Sequence, residues 1–145
     1  MATITRIAAR IKTGNRSGAG TDGNIFLGIG GREFHLDSQA DDFEQNSDRT
    51  YVMGESLPSE TSVNNAARND PRVDYVLTSE FLDKFPVYIR FEDSGDSPDW
   101  NLEVATVTAQ SHAATVARYE NLGGSNNLWL GANYGKYCYL LKQQG

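Results

Sequence analysis

A chain of 145 residues has room for one domain around one core, and its 19 acidic against 13 basic side chains leave a net charge of −6. That balance argues against a nucleic-acid partner, which demands a basic face, and opposes unaided docking on anionic lipid. A single cysteine, Cys138, excludes an intrachain disulfide and a thiolate zinc cage, while no apolar signal core and no run near ~18 apolar residues is found, so the expectation is a soluble, cytoplasmic chain without a signal peptide or transmembrane segment.

In residues 4–12, Ile7, Ala9 and Ile11 alternate with Ala8, Arg10 and Lys12, the period-two pattern of a strand with one buried face. After a loop of glycines and small oxygen-bearing side chains, Ile25, Leu27 and Ile29 predict a second strand. Gly30-Gly31 supplies a tight turn, and Phe34 and Leu36 continue a hairpin beyond it. A fourth strand fits 49–54. Residues 55–86 are irregular and longer than most connections within a domain, with 73–77 as a candidate extra strand. Ser79 is placed to cap a helical turn through 80–85, ended by Pro86. Strands follow at 87–92, 102–107, 114–120 and 135–141, with 123–127 as a hairpin loop. About eight short strands separated by polar turns predict an all-β, antiparallel β-sandwich filling residues 1–145.

Alternate loops of an antiparallel meander share one end of the sandwich. Loop 13–24, with Asp22, Thr21, Asn24 and the carbonyls of Gly18 and Gly20, therefore lies beside loop 37–48, with Asp37, Ser38, Asp41, Asp42, Glu44 and Asp48. Hard oxygen donors from two neighbouring loops are what calcium requires. A third set, Asp93, Asp96 and Asp99, joins them only if 55–86 is an excursion at the far end that adds no full crossing. The plainer reading is that Asp, Asn and Gly crowd these loops because they make turns, with Arg16 and Arg49 as internal counter-charges. Both readings stay open.

Three blocks resemble the PLAT, or lipoxygenase-homology, domain. The first is Lys12-Thr13-Gly14 with Ser17-Gly18-Ala19-Gly20-Thr21-Asp22 and Asn24-Ile25-Phe26. The second runs from Asp42-Phe43-Glu44 to Asp48-Arg49-Thr50-Tyr51. The third is Ile89-Arg90-Phe91-Glu92-Asp93-Ser94-Gly95 with Trp100-Asn101-Leu102-Glu103. The likeness fades beyond Val107 to Trp129-Leu130. The resemblance implies a non-catalytic β-sandwich that docks on a membrane surface or another protein, with calcium in its loops. The loops are also similar to those of the C-terminal domain of clostridial phospholipase-type toxins. That likeness implies ligands at Gly20, Thr21, Asp22, Asp37, Ala40 through its carbonyl, Asp41 and Asp42, with Asp96 or Asp99 contributing. Two toxin ligand positions fall on Gly18 and Ser38 here, so one of the toxin's sites is weakened. Asn15-Arg16-Ser17 forms a polar loop tip, against deep insertion into lipid. Trp100 is either core or an interface residue.

Catalytic readings find little support. His35 and His112 appear without a nucleophile elbow, His35 alternates outward as a surface residue, and Cys138 sits in an apolar run as a structural thiol. The expectation is a calcium-binding docking module that is not an enzyme. The alternatives are a calcium-independent protein–protein interaction domain and, third, a hydrolase using an unidentified carboxylate pair.

Overall fold

The structure, a computed structural model of the chain, describes residues 2–73, 76–94, 98–121 and 128–144. In chain order it forms β1 (Arg6–Thr13), β2 (Asn24–Ile29), β3 (Arg32–His35), β4 (Asp48–Gly54), β5 (Thr61–Ser62), α1 (Ser79–Leu82), β6 (Tyr88–Glu92), β7 (Asp99–Ser111), β8 (Ala114–Asn121), β9 (Leu128–Gly131) and β10 (Tyr137–Lys142). The strands pair in the order β3-β2-β6-β10-β8-β7-β1-β4-β5, and β9 adds to β7. All pairs are antiparallel except β4 with β5. β10 changes sheets along its length: Tyr137 to Tyr139 pair with β6, and Leu140 to Lys142 pair with β8. The sheet therefore curls around one core as two joined layers of an all-β sandwich.

Alternation decides which side chains fill that core. Ile7, Ala9 and Ile11 from β1 meet Ile25, Leu27 and Ile29 from β2, Ile89 and Phe91 from β6, and Ala105, Val107 and Ala109 from β7, all buried. The two-residue turn at Gly30-Gly31 has φ of 63° and 84°, the left-handed values that suit glycine in a tight hairpin.

Several boundaries differ from the sequence reading. β7 extends from Asp99 to Ser111 because Trp100 and Leu102 are also inward and β9 covers its first residues. β9 itself was not anticipated, since four residues are too few to display a period. β10 begins at Tyr137 rather than 135, and the 123–127 loop lies outside the described residues. Of residues 73–77, Val73 and Val76 are exposed and not in a strand, and 74–75 lie outside the described residues. The helix is capped at Thr78 with no side-chain bond. Ser79 instead accepts the Ala2 N–H at 3.0 Å, which diverts its hydroxyl to the N-terminal segment.

The stretch between β4 and β6 is not confined to the far end. It starts there, where Glu55 N–H bonds the Thr5 carbonyl, and then runs along the open edge of β3. Asn69 caps the His35 N–H at 2.9 Å, Arg32 donates to the Asp70 carbonyl, and Asn64 N–H reaches the Asp37 carbonyl at 2.8 Å. An edge strand left bare would present unpaired backbone groups, and this segment covers them. The chain then returns, with Thr78 bridging Thr3, so the parity of the meander is unchanged. Asn24 pairs with Glu92, and Thr13 with Leu102, so all three acidic loops emerge at one end.

A candidate cation cleft at the loop end

The first two loops are fastened together by backbone. Thr13 N–H donates to the Ser47 carbonyl at 2.9 Å, Asn46 N–H to Gly14 at 3.0 Å, and Thr21 N–H to Phe43 at 3.0 Å. This approach needs Gly20: a Cβ there would stand 2.9 Å from the Gln45 nitrogen and 3.2 Å from the Phe43 carbonyl oxygen. Asn101 ties the same loop to β7 through bonds with Gly14 and Ala19.

Phe43 sets the direction of the second loop. Its φ of 59° is rare for a bulky residue, and it turns the ring inward while Asp41 and Glu44 stay outside. The ring stacks on Tyr51 at 5.3 Å and meets Trp100 edge-on at 5.6 Å. Trp100 is itself fully buried, with its indole N–H on Thr13 Oγ1 at 2.9 Å. Of the two roles open to Trp100, its complete burial matches the core one.

Between the loops lies a polar cleft of about 220 Å³, bordered by Thr21, Asp22, Asp37, Ala40, Asp41 and Asp42 together with Asn24, His35 and Glu44. Six of the expected ligand residues are thus brought to one place. Gly20 is not on the cleft wall but allows the close approach behind it. Asp99 is elsewhere: its carboxylate accepts from Asn133 at 3.2 and 3.4 Å, and neighbouring Asp93 pairs with Lys136 at 3.1 Å. Asp96 lies outside the described residues. The described carboxylates of the third loop therefore face the turn after β9, a partner that the sequence pattern did not reveal.

The cleft carboxylates differ in what they already hold. Asp42 accepts from Ser38 N–H and Oγ at 2.8 and 2.6 Å, from Arg49 at 2.9 Å and from the Tyr51 hydroxyl at 2.9 Å. Burial raises its pKa, but the bonds from Ser38, Tyr51 and Arg49 outweigh that and hold the carboxyl below its ordinary value. Burial and the Asp42 charge push the Tyr51 phenol well up. Asp42 is the hub that ties loop 37–42 to β4, and Arg49 is the internal counter-charge anticipated for it. Asp37 accepts from the Asn64 amide at 3.1 Å. Asp22 and Asp41 have exposed side chains, and among the described residues neither has a cationic side-chain partner. Arg16, the other expected counter-charge, is exposed and makes no ion pair among the described residues.

No three His, Cys, Asp or Glu side chains among the described residues converge closely enough to form a ready-made metal cluster. The donor set is nonetheless of the hard-oxygen type that calcium takes, with carboxylates beside loop carbonyls and the Thr21 hydroxyl. His35 is half-buried against Phe26, ring centroids 4.8 Å apart, with Nε2 3.2 Å from Asn24 Oδ1, so it is a wall of the cleft rather than a plain surface residue. His112 lies at the opposite end, in the β7–β8 turn. Cys138 is buried, and burial pushes its thiol up.

This curled sandwich, with three loops gathered at one end, is the fold of the PLAT, or C2-like, domain. The chain superposes on the alpha-toxin of Clostridium absonum with a TM-score of 0.61 and 21% identity, over 97% of this chain and 32% of the toxin. The alpha-toxin of an avian strain of Clostridium perfringens gives 0.57 and 20%, over 95% of this chain and 31% of that one. The coral 8R-lipoxygenase, in which calcium activates through a C2-like domain, gives 0.57 and 18%, over 96% of this chain and 17% of the enzyme. The chain thus spans a third or less of each of these proteins. Compared with protein-family models and with curated proteins, the sequence shows no match. Among the described residues no helix is long and apolar enough to cross a membrane.

Proposed function

We propose that the chain is a non-catalytic docking module that binds calcium between loops 18–24 and 37–44 and attaches to a membrane surface or a protein partner. The observation that carries this reading is the pair Asp22 and Asp41, which share one cleft without a cationic side-chain partner among the described residues. Like charges gathered in one cleft repel unless a cation lies among them. Asp37, Thr21 and the Ala40 carbonyl would complete the ligand set, while Asp42 holds the loop in shape. Calcium there makes the loop end less negative and can bridge to phosphate or carboxylate on the partner. The calcium-activated C2-like domain of the coral lipoxygenase supports the same reading.

Calorimetric titration of metal-free protein tests it. A calcium isotherm is expected in the intact chain, weakened about tenfold or more in Asp22→Asn and Asp41→Asn and unchanged in Asp99→Asn. Absence of heat and of any thermal shift at millimolar calcium would sink the reading. A second reading, a calcium-independent protein-interaction domain, is favoured by the Asp42–Arg49 pair at 2.9 Å, which already neutralises one cleft carboxylate. It expects the same partner binding in calcium and in chelator.

A further inference from the structure

Alternation along β10 sends Cys138 and Leu140 into the core and leaves Tyr137, Tyr139 and Leu141 outside, 58, 67 and 49% exposed. Register extends this patch across the sheet: Tyr139 pairs with Tyr88 of β6, and Tyr88 with Gly28 of β2. Two aromatic rings there are laid against glycine. A Cβ on Gly28 would stand 2.1 Å from the Tyr88 ring, and one on Gly31 would stand 3.1 Å from the Phe85 ring, so both rings lie close against the backbone. The Tyr88 hydroxyl is held on Glu33 at 2.7 Å, and the Tyr137 ring meets the Tyr88 ring at 63° with centroids 5.4 Å apart. Tyr88, Phe85, Pro86 and Glu33 border a hollow of about 240 Å³. Single apolar side chains scattered over a surface need no explanation, but adjoining aromatic rings held in place mark a surface for a partner.

The hydrogen-bonding capacity of this face indicates the chemistry of that partner. The carboxylates that register brings beside it are spent: Glu33 accepts from Arg90 at 2.8 and 2.9 Å, Glu92 lies 3.6 Å from the same guanidinium, and Glu120 accepts from Arg118 at 2.9 Å. These charges are matched within the chain, which suits an uncharged ligand. The hydroxyls of Tyr137 and Tyr139, by contrast, have no hydrogen-bond partner among the described residues. The face therefore offers aromatic rings and unspent phenol donors, with its neighbouring acceptors already occupied. A sugar chain, whose hydroxyls donate as well as accept, is poorly served by that balance. A proline-rich segment matches it: in the polyproline II conformation its carbonyls make no internal hydrogen bonds, its prolines have no N–H to satisfy, and such segments dock on aromatic surfaces. We infer that this face is a docking site for a proline-rich segment in the polyproline II conformation. The four prolines of this sequence, Pro58, Pro71, Pro86 and Pro98, stand singly, so the segment lies outside it. A segment that is already stiff loses little freedom on docking, and rings already set by Glu33, Gly28 and Gly31 lose little more. The face shares no residue with the acidic cleft, so the inference is independent of calcium.

The test follows the fluorescence anisotropy of labelled decaproline titrated, in chelator, with the intact chain and with Tyr139→Ala, Tyr139→Phe and Leu57→Ala. Tyr139 and Leu57 are both exposed, and Leu57 lies on the other side of the molecule in the hollow beside Arg6 and Gln110, so the variants should keep the thermal midpoint of the intact chain. The expected result is saturable binding by the intact chain, about tenfold weaker in Tyr139→Ala, weaker by a few-fold in Tyr139→Phe through the lost phenol donor, and unchanged in Leu57→Ala. A glycine–serine peptide of equal length should not bind. No saturable binding of decaproline by the intact chain overturns the inference, as does equal affinity in Tyr139→Ala or an equal loss in Leu57→Ala. Displacement of the peptide by cellohexaose, a neutral sugar chain, would overturn the peptide in favour of a polysaccharide. Self-association in sedimentation velocity that Tyr139→Ala abolishes would overturn it in favour of a second copy of this chain. Because calcium is absent throughout, none of these outcomes bears on the acidic cleft.

Discussion

Asp42 shows how one side chain can look like a ligand and serve as a fastener. Its position in the second motif block and its carboxylate both suit a metal, yet Ser38, Arg49 and Tyr51 already donate to it. Replacing it with alanine leaves the Tyr51 hydroxyl and the Arg49 guanidinium short of an acceptor, so Asp42→Ala should lower stability by about 1–3 kcal/mol, read as a fall in thermal midpoint without calcium. Trp100 is parallel: Trp100→Phe removes the bond to Thr13 and leaves space among Phe43, Phe91 and Thr13, for a loss of about 1–3 kcal/mol by urea melt. Nothing in either residue's own letter separates these roles. The donors to Asp42 sit at 38, 49 and 51, and only folding counts them.

The loops are decided by approach. Gly20 lets its backbone sit against residues 43–45, so Gly20→Ala should part the two loops, lowering the thermal midpoint and weakening calcium binding in calorimetry. The strands of the first hairpin were legible because Ile25, Leu27 and Ile29 alternate and Gly30-Gly31 closes the turn. β9 was not, because Leu128–Gly131 is stabilised by pairing with Asp99 to Leu102, a contact distant in sequence. The same pairing places Asn133 beside Asp99 and so removes that carboxylate from the cleft. The long segment after β4 carries no period because its task is to cover β3 with isolated contacts, the Asn69 side chain on the His35 N–H and the Asp70 carbonyl on Arg32 among them, rather than to add a strand.

At the scale of the molecule, paired carboxylates govern the response to acid. Glu60, bonded to Arg6 and to the Leu57 N–H, is held down to about 2 from 4.5, and hydrogen bonds to arginine likewise lower Glu33, Asp48 and Asp70. Each folded value lies below its unfolded one, so the stability these pairs contribute is complete above about pH 4.5. It is lost as pH falls through the folded values, toward about 2 for Glu60. Thermal midpoints measured in steps across that window should decline steadily. A flat profile would contradict the pairing. The proposed calcium site predicts a shift in the other direction: calcium bound only by the folded chain, at a hundred times its dissociation constant, should raise stability by about 2.7 kcal/mol, and a chelator should reverse the shift.

The amino-acid sequence by itself determined the strand faces, the hairpin turn and the gathering of the first two acidic loops, because each follows from a local period of two or from counting reversals along the chain. Tertiary structure alone decided how β10 joins the two layers, which carboxylates lack a cationic partner among the described residues, and that His35 forms part of the cleft wall. Those outcomes depend on which side chains from remote strands arrive at the same place, and no local pattern encodes that meeting.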